Sequence, residues 1–316
     1  MKIFQKNFSA NQIMPIFLTS WRKNSIIEKN ICRERGSVLN KPMISDNRNN
    51  MCAKGKKAIL VVSYGTSHSD GRLKAINAIE DAIANANDDY EIKRAFSSRL
   101  VIDNIRNKTG EEISGVEQAV ARLVENGVKT LIIQPTHIMC GNDYEELTSV
   151  AERYKEKVEN ISVGLPLLAD EQDFIRLADS LIDASAEYIN AETAIVFIGH
   201  GAKHEANSIY ARFQNIFTAG GNNSFFVGTI KAAPSLTDVI ALVKSGGFRK
   251  VILFPLMTAA GNHINQDIAG GKENSWKNVF KAAGFEVECV STGLGELEAV
   301  RNIYVAHTHN AKERFI

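Results

Sequence analysis

From residue 57 onward the hydrophobic positions fall into two alternating patterns. The runs "AILVVSY" (58–64), "TLIIQPT" (130–136), "ISVGLPL" (161–167), "TAIVFIG" (193–199), "FFVGTI" (225–230), "KVILFPL" (250–256) and "FEVECVS" (285–291) are short, rich in β-branched residues and nearly continuous in apolar character. Strands read this way when helices cover both faces of a parallel sheet. Between them lie stretches of helical period, such as "GVEQAVARLVENG" (115–127) and "SLTDVIALVKSGG" (235–247). Each stops at glycine, the residue best suited to the left-handed turn that closes a helix. The alternation predicts a doubly wound α/β fold with parallel sheets.

The pattern also repeats. Residues 115–143 align without a gap on residues 235–263: helix, glycine, basic residue, strand with an internal proline, then Gly-Asn. Each copy is preceded by its own strand ending in an aromatic ring and glycine, "VVSYGTSHSD" (61–70) in one case and "VFIGHGAKHE" (196–205) in the other. The simplest account is two homologous α/β halves, residues 56–180 and 181–316, facing each other across a cleft. Under this alignment Tyr64 corresponds to His200 and Asp143 to His263. In open α/β sheets ligands sit beyond the carboxyl ends of the strands. His200 directly follows one such strand and His263 follows another within a few residues, so the metal-binding chemistry is expected in the C-terminal half.

Residues 1–55 show no sustained period and end in the polar run "SDNRNNMCAKGKK". They read as a disordered extension or a misassigned start, with Met51 as the true first residue. The apolar part of the first segment, Ile13 to Leu18, is short and broken by Pro15, which makes a poor secretion signal. No stretch approaches the roughly 20 apolar residues that span a bilayer.

With 44% hydrophobic and 23% charged residues among 316, the chain can bury a large core. Its 37 basic and 36 acidic residues leave a net charge of +1, with no global field to draw in nucleic acid or a membrane surface. Cys32, Cys52, Cys140 and Cys289 are scattered and form no CxxC pair. That argues against a disulfide framework and fits a reducing, cytoplasmic location.

Loop histidines at strand ends suit a divalent first-row ion held through neutral imidazole nitrogens. His200 and His204 stand four apart, a second way to place imidazoles on one ion if a helix begins at the glycine. HExxH, GxSxG, GxxxxGK[ST] and GxGxxG are all missing, so protease, serine-hydrolase and nucleotide chemistry have no support. Arg94 and Arg99 in "KRAFSSR" and Lys277 in "SWK" are candidate receivers of carboxylates, and Trp276 either stacks on a flat ligand or packs its helix. His307 and His309 read as tail residues.

Taken together and in order, "ILVVSYGTS", "RAFSSR", "THIMCGNDYEEL", "GLPLL", "FIGHGAKHEA", "AGNHINQDIAG", "SWK" and "GLGE" resemble the anaerobic cobalt chelatase family of cobalamin biosynthesis, the CbiK type. The resemblance runs from about Lys57 to about His309. It implies a two-half chelatase fold similar to ferrochelatase and the ATP-independent insertion of Co²⁺ into sirohydrochlorin, a tetrapyrrole. It further implies His200 and His263 as metal ligands; we expect these two to be the catalytic residues as well, with Tyr64, Arg94, Arg99 and Lys277 toward the substrate. The family's glutamate ligand is replaced: "VGTIKAAPS" puts Lys231 there, and Asp143 stands where the family tends to have glutamate. An ammonium has no lone pair for a metal, so Asp143 or Glu205 is the candidate substitute. An iron or nickel chelatase and a non-catalytic tetrapyrrole or metal carrier are the competing readings. A homo-oligomer and a bound haem are left open.

Overall fold

The computed structural model describes residues 56–259, 261 and 264–316. The expectations for residues 1–55 and for His263 lie outside the described residues.

The first sheet is built from β1 (Lys56–Ser63), β2 (Glu91–Phe96), β3 (Val128–Pro135) and β4 (Asn160–Val163), in the order β2-β1-β3-β4. The second uses β5 (Thr193–Gly199), β6 (Phe225–Thr229), β7 (Lys250–Pro255) and β8 (Glu286–Cys289), in the order β6-β5-β7-β8. All pairings are parallel. Helices α1 (Ser69–Gly71) and α2 (Ala78–Asn85), joined through a π-helical stretch at Arg72–Asn77, follow β1, and α3 (Arg99–Thr109) and α4 (Val116–Glu125) follow β2. Next come α5 (Asn142–Tyr154) after β3, α6 (Glu171–Ala184) after β4 and α7 (Ser208–Ala219) after β5. The last three are α8 (Leu236–Ser245), α9 (Trp276–Ala282) and α10 (Glu298–Ala311). The division at residues 180/181 runs through α6.

The continuous apolar runs have the cause expected of them. In β1, Ile59 and Val61 belong to one core while Ala58, Leu60 and Val62 belong to another on the opposite face. In β5, Ile195 and Phe197 face the first of these, and Ala194, Val196 and Ile198 a third. Period-two alternation is therefore present but invisible, because both faces are buried. β2 escaped the apolar-run reading for the complementary reason. It is an edge strand, and its first residues "EIKR" alternate exposed and half-buried.

The duplication extends to individual backbone bonds beyond the strand ends. Thr136 N donates to Val62 O at 2.8 Å, and Leu256 N donates to Ile198 O at 2.8 Å. Ser97 N donates to Ser63 O at 2.9 Å, and Ile230 N donates to Gly199 O at 3.0 Å. Ser98 N reaches Tyr64 O at 3.3 Å, and Lys231 N reaches His200 O at 3.0 Å. Gly127 and Gly247, at φ 78° and 74°, end the equivalent helices α4 and α8.

The sheets share one core. Ile59, Val61 and Ile132 of the first join Ile195, Phe197 and Ile252 of the second, with Phe174 and Leu177 of α6, Phe213 of α7 and Ile303 and Tyr304 of α10. Helix α10 crosses back from the second sheet to pack on α2 and α6. His307 is therefore no tail residue. It is buried, with Nδ1 3.2 Å from Leu165 O and Nε2 3.1 Å from Asp173 Oδ2, and only His309 is exposed as expected of a tail. A carbonyl and a carboxylate are both acceptors, so the ring is held from two sides. Asp173 also accepts from the amides of Ala169 and Asp170 at the start of α6. Breaking a buried pair leaves a charge without compensation. His307→Ala is expected to lower the unfolding free energy by about 3 kcal/mol, read by urea denaturation. A loss under about 0.5 kcal/mol, the range of ordinary surface changes, would show the pair to be dispensable.

Candidate functional site

His200 opens the loop that leaves β5, and its side chain is exposed. Its Nδ1 lies 2.9 Å from the Gly201 carbonyl. Since a carbonyl only accepts, the neutral ring carries its proton on Nδ1 and its lone pair on Nε2, the state in which imidazole ligates a metal. The flanking glycines are required by close approach. A Cβ on Gly199 would fall 2.1 Å from the Tyr210 ring, whose hydroxyl accepts from Gly201 N at 3.3 Å. Gly201 has φ +78°, and a Cβ there would fall 2.9 Å from Ala232 Cβ and from Thr229 Cβ. The His200 loop is thereby seated on the loop that leaves β6, which carries exposed Lys231.

The loops from both sheets meet. Thr258, beyond β7, donates its hydroxyl to Thr136 O at 2.9 Å, beyond β3. A Cβ on Gly261 would lie 3.1 Å from Thr66 Oγ1, beyond β1. His204 Nε2 is 3.4 Å from Glu145 Oε1, in the first turn of α5. His204 Nδ1 accepts from Ala206 N at 3.0 Å and caps the short helix Glu205–Asn207. With its lone pair occupied in this way, His204 is not the second member of an i, i+4 metal pair. Asp143 lies two residues before Glu145, in the same first turn, where the helix dipole favours carboxylates. Glu205 is exposed. Among the described residues no group of three or more His, Cys, Asp or Glu side chains is placed to hold a metal ion, and a set that includes His263 lies outside them.

The candidate substrate contacts separate into those at the edge and those elsewhere. Tyr64 is the first residue past β1, 54% exposed, in the place His200 takes in the second half. Arg99 is the exposed first residue of α3, next to its N-cap Ser98. Arg94 is not at the edge. It pairs within β2 opposite Val61, its Nε 2.7 Å from Glu80 Oε1, with a further contact to Glu80 Oε2 and one of 2.6 Å to Asn77 Oδ1. The hydrogen bond to Glu80 raises the guanidinium pKa, despite partial burial. This arginine is spent on the fold. Lys277 is half-buried in α9, near enough to Cys289, at the end of β8, to counter the upward push of burial on that thiol. Trp276 is 3% exposed, packs against Phe280 and would meet a Cβ on Gly228, so it is a packing residue rather than a stacking platform.

One edge residue was not foreseen. His137 follows β3, with Nε2 3.2 Å from Ser97 Oγ across the end of β1, and its buried Nδ1 has no hydrogen-bond partner among the described residues. Burial lowers its pKa, against an upward pull from the Asp143 carboxylate. The repeat held a signal for it: the residue equivalent to Met257 is an imidazole in the first half only.

The cobalt chelatase (CbiK) family model matches residues 57–313. The chain is 35% identical over 256 residues to the sirohydrochlorin cobaltochelatase of Salmonella typhimurium, covering 81% of this chain and 96% of that protein. It is 26% identical over 257 residues to sirohydrochlorin cobaltochelatase CbiKC of Nitratidesulfovibrio vulgaris, covering 80% and 89%. The solved structure of SirB from Bacillus subtilis with Fe³⁺ is similar in fold, at a TM-score of 0.55 and 17% identity, covering 81% of this chain and 95% of that one.

Since burial disfavours a charged His137, the folded protein protonates it at lower pH than the unfolded chain does. Between the two pKa values the unfolded state holds more protons, so stability falls as pH drops below about 6.5. His137→Asn is expected to flatten that fall, read as urea midpoints between about pH 7.5 and about pH 5. An unchanged slope would mean that the ring titrates normally in the fold.

Proposed function

The chain belongs to the cobalt chelatase (CbiK) family, and we propose that it inserts Co²⁺ into sirohydrochlorin, with no nucleotide, as a cytoplasmic enzyme. The observation that carries this reading is the collinear match to a sirohydrochlorin cobaltochelatase over nearly the whole of that protein. The local support is an exposed imidazole, His200, seated on a rigid glycine-flanked loop at the carboxyl end of the central strand β5. Among the described residues no helix is long and apolar enough to cross a membrane.

Metallation exchanges the inner N–H protons of the macrocycle for a divalent ion. The protein must therefore present the metal loosely, accept protons and hold the ring in place. His200, through Nε2, and His263 present the ion. A donor set of few, labile ligands suits delivery, whereas a closed four-ligand cage would retain the metal. As the ion passes to the ring, the vacated Nε2 lone pair of His200 takes up one of the two displaced pyrrole protons, and the other leaves to solvent water. Tyr64 and Arg99, at the matching edge of the first sheet, meet the ring and one of its carboxylates.

Anaerobic incubation with sirohydrochlorin and Co²⁺, Ni²⁺ or Fe²⁺ in turn, followed by visible absorbance, tests the reading. Cobalt insertion is expected to be accelerated most, and faster nickel or iron insertion would reassign the metal. His200→Ala is expected to cut the rate by about 100-fold or more while leaving the fold intact. Near-normal turnover in that variant would sink the assignment. Because the donor imidazoles must be neutral, the wild-type rate should fall as pH drops below about 6.5, and a flat profile would point away from imidazole chemistry.

A further inference from the structure

The backbone bond from Lys231 N to His200 O has its twin in the bond from Ser98 N to Tyr64 O. In each half this bond draws the loop beyond one strand against the first residue past its neighbour. In each half it also delivers an exposed cation: Lys231 itself in the second, and Arg99, one residue past Ser98, in the first. Among the described residues neither side chain has a hydrogen bond or ion pair. Arg99 also stands in the first turn of α3, where the helix dipole is unfavourable to positive charge. Neither side chain is committed to a partner within its own half.

A protonated lysine offers three donors and no lone pair, so Lys231 beside His200 cannot hold the metal. Its chemistry fits a carboxylate. We infer that Lys231 and Arg99 form a two-point anchor, one cation from each half, for separate carboxylates on the rim of the tetrapyrrole. This rests on the proposed substrate and assigns Lys231 a role in holding the ring rather than the ion.

The test uses the full chain without metal, titrating sirohydrochlorin and following its fluorescence. Lys231→Gln and Arg99→Gln are each expected to weaken binding about tenfold, as for loss of one charge-assisted contact, and the double variant about 100-fold. Lys231→Arg should bind within about twofold of wild type, as should Lys244→Gln, a control on exposed α8. In turnover the loss should appear in KM, with kcat held within about twofold. Wild-type affinity in Lys231→Gln would overturn the inference, as would a loss confined to kcat. Weakened binding in both single variants supports the anchor even if the wild-type protein then fails to metallate the ring, an outcome that would overturn the proposed activity instead.

Discussion

The carbonyl of Thr136 ties the two sheets together. It accepts the hydroxyl of Thr258 at 2.9 Å and that of Tyr304 at 2.8 Å, filling both lone pairs with donors from beyond β7 and from α10. Tyr304 is wholly buried, and the loss of solvent pushes its phenol far up, so it remains a neutral donor. The carbonyl lies between Pro135, the end of β3, and His137. The carboxyl edge of the first sheet is thereby bonded directly to that of the second. The positions of Tyr64, His137 and His200 are set by short loops that spring from these joined edges.

On that frame, the duplicated halves have kept their backbone and exchanged their side chains. The bonds beyond the strand ends recur within a few tenths of an ångström. The groups they position do not recur: a phenol against an imidazole at Tyr64 and His200, an imidazole against a thioether at His137 and Met257, a helix-capping serine against an ammonium at Ser98 and Lys231. Main-chain bonds constrain every residue type alike, whereas the side chain projecting from a loop is free to change chemistry without cost to the sheet.

Much of this was legible in the chain. Strands buried on both faces announce themselves as apolar runs, and glycines such as Gly127 and Gly247 mark helix ends through their left-handed backbone. What pattern reading missed depended on neighbours far away in sequence. Edge strand β2 keeps charged residues because water reaches it. Arg94 lies close in sequence to Ser97 but three positions back along the strand, where Glu80 claims it. His204 shares a helical spacing with His200, yet its lone pair is committed two residues on, to the Ala206 amide. His307 looked peripheral because its partners, Leu165 and Asp173, are separated from it by the whole second sheet.

The return of α10 bears on how the chain reaches its final state. Ile303 and Tyr304 complete a core that begins with Ile59 and Val61, and the amide of Ile316 donates to Ile161 O of β4 at 2.9 Å. During synthesis the first sheet emerges long before the residues that seal its inner face. The ribosome therefore cannot release a finished first half ahead of a second. Closure of this shared core waits for residues 303–316, so the two halves, alike in template, complete their packing together.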